Sequence, residues 1–312
     1  MILAGDIGGT KVNLALFDGK IRTIEKHYES RNFSSIDEIL DDFLKVNGTR
    51  VERACLGVAG PVIDGISSLT NLSWQVEEKR LRKKLGIEKV CLINDLAATA
   101  YAIPFLGPEA FAIIQSGTPV SEARISVVSA GTGLGQAFLI PDNNGKYIVL
   151  DSEGGHCDFS PRSELESELL FFLQKKYSRV SIERILSGPG LLDVYKFFMT
   201  KQPENKAIDF PSTIVERAIA KTSPICEKTV ALFISLYGAL AGNLALQYLS
   251  KGGVYLGGGI APKIVPLLQE GGFLEAFLAK GRFEKFLSEI PVKVVMDEFA
   301  PLLGAAQYSL AL

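Results

Sequence analysis

Short apolar runs broken by glycine open the chain and return in its middle. Ile2-Leu3-Ala4 leads into Gly5-Asp6-Ile7-Gly8-Gly9-Thr10, and Leu14-Ala15-Leu16-Phe17 follows. Ile125-Ser126-Val127-Val128 leads into Ala130-Gly131-Thr132-Gly133-Leu134-Gly135, and Ala137-Phe138-Leu139-Ile140 follows. Both places predict strand, tight turn, strand. A third strand over 20–29 comes after the Asp18-Gly19 turn. A helix near 34–46 starts at Ser34 or Ser35, with Asp37 and Glu38 in its first turn. A strand at 54–58 ends at Gly60-Pro61, and a basic helix over 76–85 stops at Gly86. The apolar strand 90–93 then runs into Asn94-Asp95 and a small-residue helix over 96–103. Pro104 and Gly107-Pro108 mark a domain boundary.

Beyond the middle glycine loop, helices are predicted near 163–177, 189–199, 211–220 and 223–250. A strand over 253–256 ends in Gly257-Gly258-Gly259, and Pro262 starts another helix. A last strand at 292–296 precedes a terminal helix at 301–311. Antiparallel strands followed by βα units thus occur once per half, which predicts two α/β lobes of duplicated architecture. The stretch from Thr229 to Ser250 carries no charge and is long enough to span a bilayer. It also holds Ser235, Gly238, Gly242, Asn243 and Gln247, and it has no second of its kind. The expectation is a central helix of the larger lobe, with no membrane partner.

Composition narrows the partners. A chain of 312 residues, 47% hydrophobic and 22% charged, has room for two globular cores. A net charge of −2 supplies no basic field, so nucleic acid is not an expected partner. The N-terminus has no basic region ahead of an apolar one, so no signal peptide is read there. Cys55, Cys91, Cys157 and Cys226 lie far apart, and the only histidines are His27 and His156. Neither a zinc site nor a disulfide framework is expected; reduced thiols suit a cytoplasmic protein.

The glycine loops carry the first chemistry. Turns this rich in glycine leave backbone N–H groups to form nests for phosphate oxygens, and Thr10 and Thr132 place hydroxyls at matching positions. The spacing fits neither a Walker A loop nor a dinucleotide fingerprint, and the protein-kinase motifs are absent. The bland alternative is a pair of hairpin turns that bind nothing. Asp95 lies where a strand ends and a helix begins, a place that faces ligand in open α/β sheets. Its carboxylate can take the proton of an attacking hydroxyl; equally, Asn94 or Asp95 simply caps the helix. Glu153-Gly154-Gly155-His156 sets acceptors and an imidazole on glycines, which suits a ligand with many hydroxyls. Asn71-Leu72-Ser73-Trp74 adds an amide and the only Trp, for flanking a sugar or for packing.

Together these residues resemble the bacterial glucokinases of the hexokinase/actin-like ATPase superfamily. In order, the chain reads G-D-I-G-G-T, A-G-P-V-x-x-G over 59–65, T-N-L-S-W, L-I-N-D-L-A-A, A-G-T-G-L-G and E-G-G-H-x-D-F. It continues with E-R-I-L-S-G-P-G-L, L-G-G-G-I, K-G-R-F and P-L-L-G-A-A. The resemblance implies a two-lobed α/β fold of the actin-like ATPase (ribonuclease H-like) type, with mixed sheets and an interlobe cleft. The small domain would be 1–105 plus 297–312, and the large one 106–296. It further implies transfer of the γ-phosphoryl group of ATP, with Mg2+, to the 6-hydroxyl of D-glucose. Asp95 would be the general base. Asn71, Asn94, Asp95, Glu153, His156 and Glu183 would hold the sugar. Asp6 and Ile7-Gly8-Gly9-Thr10 would position phosphates and metal, with Asp6 reaching the ion through water. Gly131, Thr132 and Gly133 would form the second phosphate loop, and Gly257, Gly258 and Gly259 the wall near the adenosine.

Family members commonly form homodimers. The repressor-related sugar kinases carry a cysteine-rich zinc motif after E-x-G-H; here Cys157 stands alone, and no zinc is expected. Lys11 is more typical of that group and has no assigned role. A sugar-responsive repressor would need a DNA-binding segment ahead of the first loop, which starts at residue 5. A chaperone-like ATPase would lack the sugar cluster. A kinase for mannose or an N-acylated hexosamine would share the chemistry and is the remaining alternative.

Overall fold

The computed structural model describes residues 1–48, 50–69, 72–202 and 208–311. The chain divides into two compact units. Unit 1 comprises Met1–Ala110, Val149–Asp151 and Asp297–Leu312; unit 2 comprises Phe111–Ile148 and Ser152–Met296.

The strands of unit 1 are β1 (Ile2–Ile7), β2 (Lys11–Asp18), β3 (Ile21–Glu29), β4 (Arg53–Val58), β5 (Ile66–Ser68), β6 (Gln75–Glu77) and β7 (Lys89–Asn94). Five of them form a sheet in the order β3-β2-β1-β4-β7, antiparallel from β3 to β1 and parallel from β1 to β7. Alternation assigns the two faces of β1. Leu3 and Ile7 join Ile39, Leu40 and Phe43 of the helix Ile36–Asn47 in one core. Ile2 and Ala4 join Ala97, Ala98, Leu302 and Ala306 in another. The second core is closed by the helix Ala300–Ala311, from the far end of the chain. Arg53 and Gln307 tie that helix down, through Arg53 Nη1 to Ser309 O at 2.8 Å and Gln307 Nε2 to Gly19 O at 3.0 Å.

The second sheet consists of β8 (Phe111–Gln115), β9 (Ile125–Ala130), β10 (Leu134–Pro141), β11 (Tyr147–Ser152), β12 (Gly253–Gly257) and β13 (Val292–Val295), all in unit 2 except the middle of β11, which is counted with unit 1. Their order is β11-β10-β9-β12-β13-β8. Apart from the antiparallel edge strand β8, this repeats the order of the first sheet, with β9, β12 and β13 parallel. The helix Pro224–Tyr248 lies in the core of this unit, its side chains buried on most sides. Its length and hydropathy would suffice for a bilayer, but Tyr237, Phe233 and Val230 pack against other residues of the unit.

Two elements start differently from the sequence reading. Residues 75–77 pair with β5 before the basic helix begins at Glu78, because Val76 alternates inward between polar neighbours. Pro262 opens a short 3-10 turn, Ala261–Ile264, and the α-helix proper starts at Val265.

Candidate active site

Unit 1 gathers Asp6, the Gly8-Gly9-Thr10 turn, Asn94 and Asp95 around the carboxyl ends of its parallel strands. Asp6 pairs with Gly57 of β4, and Val58 pairs with Asn94 of β7. Gly57 packs against the helix that starts at Asp95: a Cβ there would sit in ordinary contact, 3.4 Å from Ala98 Cβ and 3.5 Å from Asp95 Cα. Period-2 alternation puts Asp6 on the face of Ile2 and Ala4, where apolar residues would otherwise sit. Burial therefore pushes its carboxyl up to about 6, helped by the charge of Asp95 and opposed by a hydrogen bond from Asn13.

Asn94 is the helix cap: its Oδ1 accepts from Leu96 N at 3.0 Å and Ala97 N at 3.1 Å. Its Nδ2 donates to Gly60 O at 3.2 Å. Asp95 Oδ1 also accepts from Leu96 N, at 2.8 Å. The capping reading therefore holds for Asn94, while the half-buried Asp95 stands at the end of β7 as the first residue of its helix. In the first turn, Gly8 N donates to Lys11 O at 2.9 Å, while Gly9 and Thr10 have no amide partner among the described residues. Ile7 contributes only backbone here, since its side chain is buried in the core. Trp74 is likewise core, 6% exposed among the residues of that cluster. Asn71 lies outside the described residues.

Unit 2 gathers the remaining candidates. β9 and β12 are parallel neighbours, with Gly257 opposite Ser129. The turn Gly131–Gly133 and the run Gly257–Gly259 consequently emerge side by side from their carboxyl ends. A Cβ on Gly131 would lie 3.8 Å from Gly259 N. The Gly131 amide is engaged within its own turn, donating to Gly133 O at 2.9 Å, which leaves Thr132 and Gly133 as the amides of that turn without a partner among the described residues.

Glu183 ties this turn to the E-G-G-H segment. Its Oε2 accepts from Leu134 N at 3.0 Å, and its Oε1 lies 3.7 Å from His156 Nδ1. On the other side of the imidazole, His156 Nε2 lies 3.6 Å from Glu153 Oε2. Gly155 sits so close to β10 that any side chain would overlap the Leu134 carbonyl oxygen. The result is two carboxylates and an imidazole, all with accessible polar atoms, beside a glycine turn. Such a set can accept from and donate to several hydroxyls of one ligand.

Glycine turns at strand ends, a carboxylate pair in one unit and a carboxylate–imidazole cluster in the other are the parts expected of a sugar kinase built on the actin-like ATPase fold. The glucokinase family profile matches residues 3–311. The glucokinase of Nostoc punctiforme is 42% identical over 98% of this chain and 98% of its own length. That of Synechocystis is 40% identical over 97% and 96%. The crystal structure of a glucokinase from an Antarctic psychrotroph superposes with a TM-score of 0.90 at 33% identity, covering 100% of this chain and 99% of that one. The chain belongs to the glucokinase family.

Proposed function

We propose that the chain phosphorylates D-glucose at its 6-hydroxyl with Mg·ATP, and that the residues gathered above divide the work. Phosphoryl transfer asks for alignment and charge neutralisation more than for covalent help. Glu153, His156 and Glu183 bind the ring hydroxyls. Asn94 fixes the first turn of the Asp95 helix, and Asp95 takes the proton of the 6-hydroxyl as its oxygen bonds to phosphorus. The amides of Gly9, Thr10, Thr132 and Gly133 receive phosphate oxygens, and Gly257–Gly259 flank the nucleoside. The observation that carries this reading is Glu183, which holds the second glycine turn with one oxygen and faces His156 with the other.

A divalent cation fits the first unit. Asp6 and Asp95 lie close enough for one charge to disfavour the other, and a cation relieves that conflict. Mg2+ bound with the triphosphate would neutralise phosphate charge, and Asp6 would hold it through water. Four cysteines outside any disulfide and a net charge of −2 suit a cytoplasmic enzyme that binds no nucleic acid. A homodimer is proposed from the habit of the family.

ADP release measured with Mg·ATP across a panel of hexoses tests the reading. Glucose should lead the panel. Equal turnover of mannose or an N-acylated hexosamine would replace the substrate, and sugar-independent hydrolysis would replace the reaction.

A further inference from the structure

A line of three polar side chains runs across β1, β2 and β3 and is not explained by the roles above. Asp6 is the register partner of Asn13, and Asn13 is the register partner of His27. Cross-strand partners present their side chains on one face, so the three stand in a row. Asn13 Nδ2 donates to Asp6 Oδ2 at 3.2 Å, and Asn13 Oδ1 lies 2.7 Å from His27 Nδ1.

The chemistry of the row fixes its direction. An ionised carboxylate only accepts, so the amide must turn its NH2 toward Asp6. The amide oxygen then faces His27 and also only accepts, so Nδ1 of the imidazole must carry a proton. His27 itself is exposed, with its ring 6.3 Å from that of Phe299 and its Nε2 3.8 Å from Glu25 Oε1. An exposed imidazole thereby sets the orientation of a half-buried amide, and the amide sets the carboxylate.

We propose that Asn13, oriented by His27, is the positioning residue that aims the Asp6 carboxylate toward the phosphate and cation end of the site. This rests on the role given to Asp6 above. Without the Asn13 bond, Asp6 keeps its place on β1 but loses the contact that selects its rotamer and favours its ionised form. The effect falls first on the nucleotide, because the row ends on Asp6, the residue given to phosphate and cation, while the ring hydroxyls are given to Glu153, His156 and Glu183.

The test uses the full chain. Asn13→Ala should raise KM for Mg·ATP about tenfold and lower kcat, with KM for glucose unchanged, as expected for loss of a hydrogen bond to a charged group. His27→Ala should show the same split in weaker form, and His27→Gln should restore it, since a carboxamide can donate to Asn13 Oδ1. In the ligand-free protein, nitrogen NMR of the imidazoles has only His27 and His156 to distinguish. His27 should be the Nδ1–H tautomer in the wild type and lose that preference in Asn13→Ala. An Nε2–H His27, or a KM for Mg·ATP within twofold of wild type in both Asn13→Ala and His27→Ala, would overturn the proposal. Asp6→Ala separates the two levels. If it abolishes transfer while Asn13→Ala does nothing, the positioning role alone fails; if it retains full activity, the reading of Asp6 fails with it.

Discussion

Glu183 accepts the backbone N–H of Leu134 at 3.0 Å with one carboxylate oxygen and holds the other 3.7 Å from His156 Nδ1. One side chain thus borders both the glycine turn assigned to phosphate and the imidazole assigned to sugar. A Cβ on Gly133 would come within 2.7 Å of the same Glu183 oxygen, so the turn and the carboxylate are packed as one piece.

Two substitutions should separate these functions. Glu183→Gln keeps an oxygen for Leu134 N–H but removes the charge that faces His156. It should raise KM for glucose about tenfold and leave KM for ATP near wild type. Glu183→Ala removes the anchor as well and should raise both. Leaving an amide unpaired costs about 1–3 kcal/mol, which is enough to move the turn. Steady-state kinetics with each substrate varied in turn reads the difference.

Asp95→Asn should abolish transfer while glucose still binds. The amide retains hydrogen bonding but cannot accept the hydroxyl proton, and loss of a general base costs about 10²–10⁴ in rate. Calorimetric titration with glucose, beside kcat, checks both halves. More than half of wild-type kcat would remove Asp95 from the mechanism.

The raised pKa of Asp6 has a measurable sign. Between its ordinary value of 3.8 and about 6, the folded chain holds a proton that the unfolded chain has released. Stability contributed at this position therefore falls as pH rises through that window, and the loss is complete above it. Asp6→Asn should melt higher than wild type at pH 8, with the difference shrinking toward pH 4, while losing activity at both. In the wild type, kcat/KM for ATP should decline as pH drops below about 6, as the free carboxylate is protonated.

Acylated sugars test the Gly154-Gly155 wall. Ideal Cβ atoms on these residues would overlap Gln136 Oε1 and the Leu134 carbonyl, which shows how little that backbone can retreat. An N-acetyl group at carbon 2 also removes a hydroxyl from a site built to pair hydroxyls. We expect kcat/KM for glucose to exceed that for N-acetylglucosamine or N-acetylmannosamine about a hundredfold, a discrimination of about 2.7 kcal/mol. Comparable values would reassign the substrate and leave the phosphoryl chemistry standing.

The strands around both glycine loops were legible because glycine interrupts an apolar run only where the chain turns. Trp74 was not, because a Trp beside Asn and Ser reads the same whether it flanks a ligand or fills a core. β11 was missed although Tyr147-Ile148-Val149-Leu150 is an apolar run; in the structure Ile148 and Leu150 face outward, 55% and 42% exposed. β8 escaped because its partner β13 comes nearly 180 residues later in the chain. The chemical residues were visible by type and spacing, but their partners were not. Nothing in the sequence joins Glu183 to Leu134, or His27 through Asn13 to Asp6, until strand register brings them together.

The helix Ala300–Ala311 follows all of unit 2 in the chain, yet it covers Cys55, Cys91 and Ile93 on the first sheet. On a ribosome, the strand that carries Asp6 and the one that ends just before Asp95 are therefore made early, and part of one apolar face stays bare until unit 2 has been made. The later-made unit can finish folding first. A nascent chain cut short before Ala300 presents that bare face to chaperones and proteases, so premature termination marks the product for disposal rather than yielding a poor enzyme.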